Sequence, residues 1–197
     1  MLDGGGVVIR NASMLVICLV WGTALLVAFT GIMQSGAISG PALRVSSSWS
    51  TDSALPRRIG GAQFVLVVHP HCPCARATLA ELQRLRVRWP NPVLVVFVKP
   101  ANSPQGWERS SLWSLVASLP GFESFCDEAG AEAKRLGAAT SGHLFAFDAT
   151  GRQVFQGGIT PARGHEGPSR GGTELEDALE GRPIRRDASP VYGCPLF

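Results

Sequence analysis

Charged residues are scarce in this 197-residue chain: 17% are acidic or basic, and the formal net charge is +3. The arginines are scattered and no basic stripe with interleaved aromatics appears, so the charge is no argument for nucleic acid and none is expected as a partner. No internal repeat is present, which removes solenoid architectures. Charge is missing altogether between Arg10 and Arg44. Inside that gap residues 14–33 (MLVICLVWGTALLVAFTGIM) form an almost unbroken apolar run. About 20 residues at 1.5 Å each span the ~30 Å hydrocarbon core of a bilayer. No small-x-small cleavage site follows directly, and the run exceeds the roughly 7–15 apolar residues usual in a signal peptide. The expectation is a short tail over 1–12 and an uncleaved transmembrane anchor over 13–33. A cleaved signal peptide and a buried core helix stay open as alternatives. Arg10 precedes the span and no positive charge follows until Arg44, which favours a periplasmic or other extracytoplasmic globular part on a single-pass membrane protein. Cys18, within the span, reads as a small apolar residue.

Residues 34–60 are rich in Ser, Gly and Pro with no sustained period, and read as a tether, with Trp49 placed at the membrane interface or as a stray linker aromatic. The folded domain is expected over 61–180, followed by a tail over 181–197. Residues 64–68 are a first buried strand. Ala75, Leu79, Leu82 and Leu85 form the apolar stripe of a first helix that stops near Trp89. Residues 93–98 (VLVVFV) are apolar on both faces, as a central parallel strand covered by helices must be. Helices are expected over 110–117 and 125–136, the second with Asp127 and Glu128 early, Lys134 and Arg135 late, and Gly137 as terminator. Strands 143–147 and 153–156 flank the turn residues 148–151 and predict an antiparallel hairpin. A glycine-rich loop then leads to a last helix over 173–179.

The chemistry concentrates in HPHCPCAR, residues 69–76. A strand running into a sharp turn and a helix places Pro73 at the first helical position, Cys72 at the N-cap and Cys74 one residue inside. Unpaired backbone N–H groups and the helix dipole there favour thiolate over thiol. Two cysteines so held are a redox couple or a soft-metal pair. In the redox reading Cys72, as the more exposed sulfur, attacks a disulfide and Cys74 resolves the mixed disulfide, with no cofactor. In the metal reading Cys72 and Cys74 bind copper with His69, His71 or His165. A third reading is an interaction domain whose cysteines are not catalytic. Because the hairpin's second strand retraces its first, residues 140–142 and 157–167 should both flank Cys72. Thr140, Ser141, Arg163 and His165 are therefore candidate site residues beside Pro73. Arg163 would hold a thiolate or an anionic substrate, and His165 would shuttle a proton. Cys126 reads as a core residue, and Cys194 as a candidate partner for another thiol or a metal.

The resulting order β-α-β-α-β-β-α, with Cys72–Pro73–Cys74 opening the first helix, resembles the thioredoxin fold: an α/β architecture with a mixed sheet and helices on both faces. More narrowly, HPHCPCARATLAEL, ATSGHLFAFDATGRQVFQGGIT and RGHEG resemble a small bacterial group of membrane-anchored thioredoxin-like proteins sometimes labelled RedB. The resemblance implies a thiol–disulfide oxidoreductase that works on a protein or small-molecule disulfide with a separate redox partner. Two departures stand out. One residue rather than two separates the cysteines, and Thr140–Ser141–Gly142 stands where the family carries a cis-proline that shapes its substrate groove.

Overall fold

In the computed structural model the chain divides into two units, residues 1–38 and 39–197. The structure describes residues 4–41, 48–58, 60–184 and 188–197. The first unit is one helix, α1 (Gly4–Ala37). Its stretch Met14–Ile32 has a mean hydropathy of 2.4 and no buried share, and is long and apolar enough to cross a membrane. Thr23 and Thr30 keep their hydroxyls satisfied in that apolar setting by donating to the carbonyls of Leu19 and Leu26, each at 2.9 Å.

The second unit is built on β1 (Gln63–Val68), α2 (Ala75–Arg88), β2 (Val93–Lys99), α3 (Ser111–Ser118), β3 (Phe122–Glu128), α4 (Ala131–Leu136), β4 (His143–Phe147), β5 (Gln153–Gly157) and α5 (Arg170–Leu179). The strands form one sheet in the order β3-β2-β1-β4-β5. β1 runs parallel to β2, and β2 to β3. β4 runs antiparallel to both β1 and β5. All residues of β1 and β4 are buried, which explains their lack of a polar alternate. Along β1, Phe64, Leu66 and Val68 face a core with Leu79 and Leu82 of α2, Leu112 and Val116 of α3, and Leu175 of α5. Val65 and Val67 face the other way, toward Ala133 of α4, Phe145, Leu55 and Leu196. Each such side chain removed from water is worth about 2 kcal/mol, so the sheet's centre is its most rigidly held part. The site hangs from that centre.

Three expectations change here. The helix foreseen over 125–136 is instead strand β3 followed by the six-residue α4. Phe122–Glu128 pairs along its whole length with β2 as an edge strand. Asp127 does not sit in a helical first turn; its carboxylate accepts the N–H groups of Glu132 and Ala133 at 2.9 and 2.8 Å and so caps α4. Gly130, at φ 68°, makes the break between the two elements.

Second, the segment read as a tether packs in part on the domain. Leu55 is buried, and Trp49 sits edge-on to Phe147 with ring centroids 5.0 Å apart, a contact with the domain. Glu132 holds the backbone beside them, accepting from Ser53 Oγ at 2.6 Å and Ala54 N–H at 3.1 Å. Residues 42–47 and 59 of that segment lie outside the described residues.

Third, residues 188–197 are not a free tail. Val191 and Leu196 are buried, and this stretch pairs with residues 139–141 and 157–158.

Candidate functional site

β1 delivers the chain to the middle of the sheet, and the turn that follows is tight. The Cys72 N–H donates to the His69 carbonyl at 3.0 Å, and the Ala75 N–H donates to the Cys72 carbonyl at 3.3 Å. Helix α2 begins at Ala75, so Cys74 and not Cys72 is the N-cap, and Cys72 and Pro73 lie in the preceding turn. The exposure order is also the reverse of the expected one. Cys72 is only 2% exposed, whereas Cys74 is half-buried.

A third cysteine accounts for this reversal. The Ser141 N–H donates to the Cys194 carbonyl at 2.8 Å and the Leu196 N–H to the Ala139 carbonyl at 3.0 Å, with Thr140 and Pro195 bridged between them. Gly193 permits the close approach: a Cβ there would lie 1.9 Å from the Ser141 carbonyl oxygen. The pairing brings the sulfurs of Cys72, Cys74 and Cys194 all within 4.8 Å of one another. Among the described residues this is the one group of three or more potential metal-ligating side chains so arranged, and it contains no histidine.

The three thiols are electrostatically unlike. Burial pushes the Cys72 thiol up, but hydrogen bonds from the side chains of Cys194 and Ser141 and from the backbone at Cys194 and Ala75 outweigh it, leaving it below its ordinary value. Cys74 is raised, by burial first and then by the neighbouring Cys72, with Arg163 pulling it back. Cys194 is pushed up to about 12 by burial and by its hydrogen bond and charge coupling to Cys72, again opposed by Arg163. Of the three thiols Cys72 is the one favoured to ionise, with Cys74 and Cys194 both raised beside it.

Of the residues flagged from sequence, Ser141 is bound into the site. Its Oγ accepts the His69 N–H at 3.0 Å and its side chain also hydrogen-bonds Cys72. Thr140 turns away, donating through Oγ1 to the Pro41 carbonyl at 3.1 Å. Arg163, in the β5–α5 loop, opposes the raised values of Cys74 and Cys194 through its charge; its Nε is buried with no hydrogen-bond partner among the described residues. The groups that act most strongly on the thiols do not include His165, which is exposed with Nδ1 2.8 Å from the Arg163 carbonyl. His69 and His71 gather around Trp107, with ring centroids 5.3 and 4.7 Å from it, and His71 Nε2 lies 3.2 Å from the Trp107 carbonyl. Cys126 is half-buried on the edge strand beside Glu128 and not in the core; burial and then Glu108 and Glu128 push it up to about 11. Sequence reasoning left Cys194 unplaced. No period runs through 181–197, and the available signal was a cysteine between Gly193 and Pro195, residue types that mark close backbone approach and bends.

No protein-family model matches the sequence, and no curated protein matches it. Solved structures do share the fold. An uncharacterized conserved protein from Geobacillus kaustophilus is 22% identical, with 82% of this chain and 90% of that one covered and a TM-score of 0.54. A hypothetical protein from Sinorhizobium meliloti is 24% identical, with 70% and 79% covered and a TM-score of 0.52. A secreted disulfide oxidoreductase of Mycobacterium tuberculosis is more remote, 14% identical over 62% of this chain and 83% of that one, at a TM-score of 0.42. The parallel β1-α2-β2 unit, the antiparallel β4-β5 hairpin, the closing α5 and the cysteine turn after β1 complete the pattern. The fold is thioredoxin-like. A thioredoxin-like sheet explains the site's convergence. β1 and β2 end, β4 begins and β5 ends at one edge, so the turn after β1, residues 139–142 and the loop after β5 meet there.

Proposed function

We propose that the chain is a membrane-tethered thiol–disulfide oxidoreductase, held by the helix over Met14–Ile32 with its thioredoxin-like unit on the extracytoplasmic side. The observation that carries this reading is the cluster of three sulfurs within 4.8 Å of one another after β1, in which Cys72 alone is lowered from its ordinary value. Thiolate is the attacking species in exchange, and a second, adjacent thiol converts the mixed disulfide to an internal one. Cys72 Sγ attacks one sulfur of a substrate disulfide and the other leaves as a thiolate. A neighbouring thiol, Cys74 being the nearest in sequence, then attacks Cys72 Sγ and releases the second half of the substrate. Two electrons pass through sulfur alone, so no cofactor is required. A protein or small-molecule disulfide is the substrate, and a separate redox partner restores the dithiol. The test is thiol counting on the reduced full-length chain in detergent, before and after excess oxidised glutathione. Reversible loss of two thiols, absent from Cys72→Ser, is expected; an unchanged thiol count contradicts the reading.

One observation favours a second reading. Three sulfurs within 4.8 Å of one another suit a trigonal thiolate site, since metal–sulfur bonds of about 2.3 Å put its corners about 4 Å apart. Soft thiolates select Cu(I), and Cys72, Cys74 and Cys194 would be its ligands in place of the histidines expected from sequence. Stoichiometric copper in protein purified without chelator, lost together with Cys194→Ser, would favour this reading.

A further inference from the structure

The third cysteine lies outside the segment 69–76 that the redox pair was read from, and its placement is built rather than incidental. Residues 188–197 are fixed on both sides of it. Val191 and Leu196 are buried, the Gly40 N–H donates to the Val191 carbonyl at 2.8 Å, and residues 139 and 141 grip the backbone at 196 and 194. Gly193 lies in a cradle that any Cβ would fill, 1.9 Å from the Ser141 carbonyl oxygen. Within that frame the Cys194 side chain supplies the foremost of the hydrogen bonds that favour the Cys72 thiolate.

We propose that Cys194, not Cys74, is the thiol that resolves the mixed disulfide on Cys72, so that the oxidised chain carries a Cys72–Cys194 disulfide. This rests on the oxidoreductase reading of the same site. The geometry favours Cys194 for two reasons. A Cys72–Cys74 bond must close a small ring through Pro73, whose φ is locked near −65°, and departures from disulfide geometry are strained. A Cys72–Cys194 bond joins two segments that are independently anchored and already within 4.8 Å at sulfur, so it asks only for a small closing movement. The step balances. Cys72 Sγ, bonded to one substrate half, is attacked by Cys194 Sγ; the S–S bond to the substrate breaks as the internal one forms. The substrate half leaves as a thiolate and takes the proton that Cys194 gave up. Overall one substrate disulfide is reduced to two thiols and two protein thiols are oxidised. Because Cys72 is 2% exposed, the first attack requires a local opening around its sulfur.

The test uses the reduced full-length chain in detergent and a chromogenic aromatic disulfide as probe, with release of the two aryl thiols followed in time. Free thiols are then capped in acid and the chain digested with trypsin. Cys72 and Cys74 fall in one peptide, 59–76, and Cys194 in another, 187–197. The expected result is a covalent 59–76/187–197 pair that persists in Cys74→Ser and is absent from Cys72→Ser and Cys194→Ser. In Cys194→Ser the second aryl thiol should leave about tenfold or more slowly, because a positioned thiol is replaced by a less favourable one. Gly193→Ala, which retains all the sulfurs but fills the cradle, should lose the cross-linked pair while keeping the first release. A disulfide confined to 59–76, with Cys194→Ser releasing at the wild-type rate, overturns the assignment while leaving the oxidoreductase reading intact. No aryl thiol release from the wild-type chain removes both.

Discussion

Cys72 is the acidic thiol of the site through its neighbours, since burial alone would make it the least acidic. The Ser141 hydroxyl is one of those neighbours and can be removed without opening a large void. Ser141→Ala should raise the Cys72 pKa and slow thiol exchange at neutral pH by about three- to tenfold, as expected for a hydrogen bond to a charged group. Stopped-flow alkylation over a pH series reads both effects. Arg163 and His165, next-but-one neighbours in sequence, should behave differently. Arg163→Ala removes the cation that opposes the raised values of Cys74 and Cys194, so their thiolates should become scarcer and the resolving step slower. His165→Ala should leave both steps within about twofold and cost no more than about 0.5 kcal/mol of stability, as for an exposed residue whose ring addresses its own loop. A large loss of rate in His165→Ala, measured by the same assay, would restore it as a proton carrier.

At the scale of elements, the parts legible in the sequence were those whose pattern is local. The doubly apolar runs gave β1 and β2, the turn at Asp148–Gly151 gave the β4–β5 hairpin, and the hairpin's return put the loop with Arg163 at the end of the sheet where β1 leaves off. Elements stabilised mainly by partners distant in sequence were not legible. Phe122–Glu128 carries Asp127 and Glu128, which read as a helix start, and only pairing with β2 makes it a strand. Cys72 looked like a helix cap because proline favours the first helical position, yet the tight turn delays the helix to Ala75. Nothing local connects residues 188–197 to residues 139–141, and the same holds for Trp49 and Leu55 on the α4 face of the sheet. That face offers a test. Glu132 is the charged hinge between α4 and residues 53–54, and Glu132→Ala should cost about 2 kcal/mol by leaving those partners unmet. The loss should appear in urea unfolding, together with faster hydrogen exchange at residues 53–55.

For the molecule as a whole, one buried group sets a pH limit. His143, in β4 and stacked on Phe145 at 4.3 Å, is fully buried; neither ring nitrogen has a hydrogen-bond partner among the described residues, and desolvation lowers its pKa to about 4. The unfolded chain binds a proton there near the ordinary 6.5, whereas the folded one resists it until about 4. Its contribution is therefore fully present above pH 6.5 and is lost as the pH falls toward 4, by about 3 kcal/mol in all. His143→Leu should flatten that part of the urea-stability profile; an unchanged slope between pH 6.5 and 4 would place the loss elsewhere. The central claim concerns electrons, and the most direct measurement equilibrates the full-length chain across a series of glutathione redox buffers and follows each cysteine by differential alkylation and mass spectrometry. The account expects two thiols, Cys72 and one of its two neighbours, to convert together in a single two-electron transition, with Cys18 and Cys126 unchanged and the transition absent from Cys72→Ser. Thiols that stay reduced across the whole series, or a transition that survives Cys72→Ser, would contradict it.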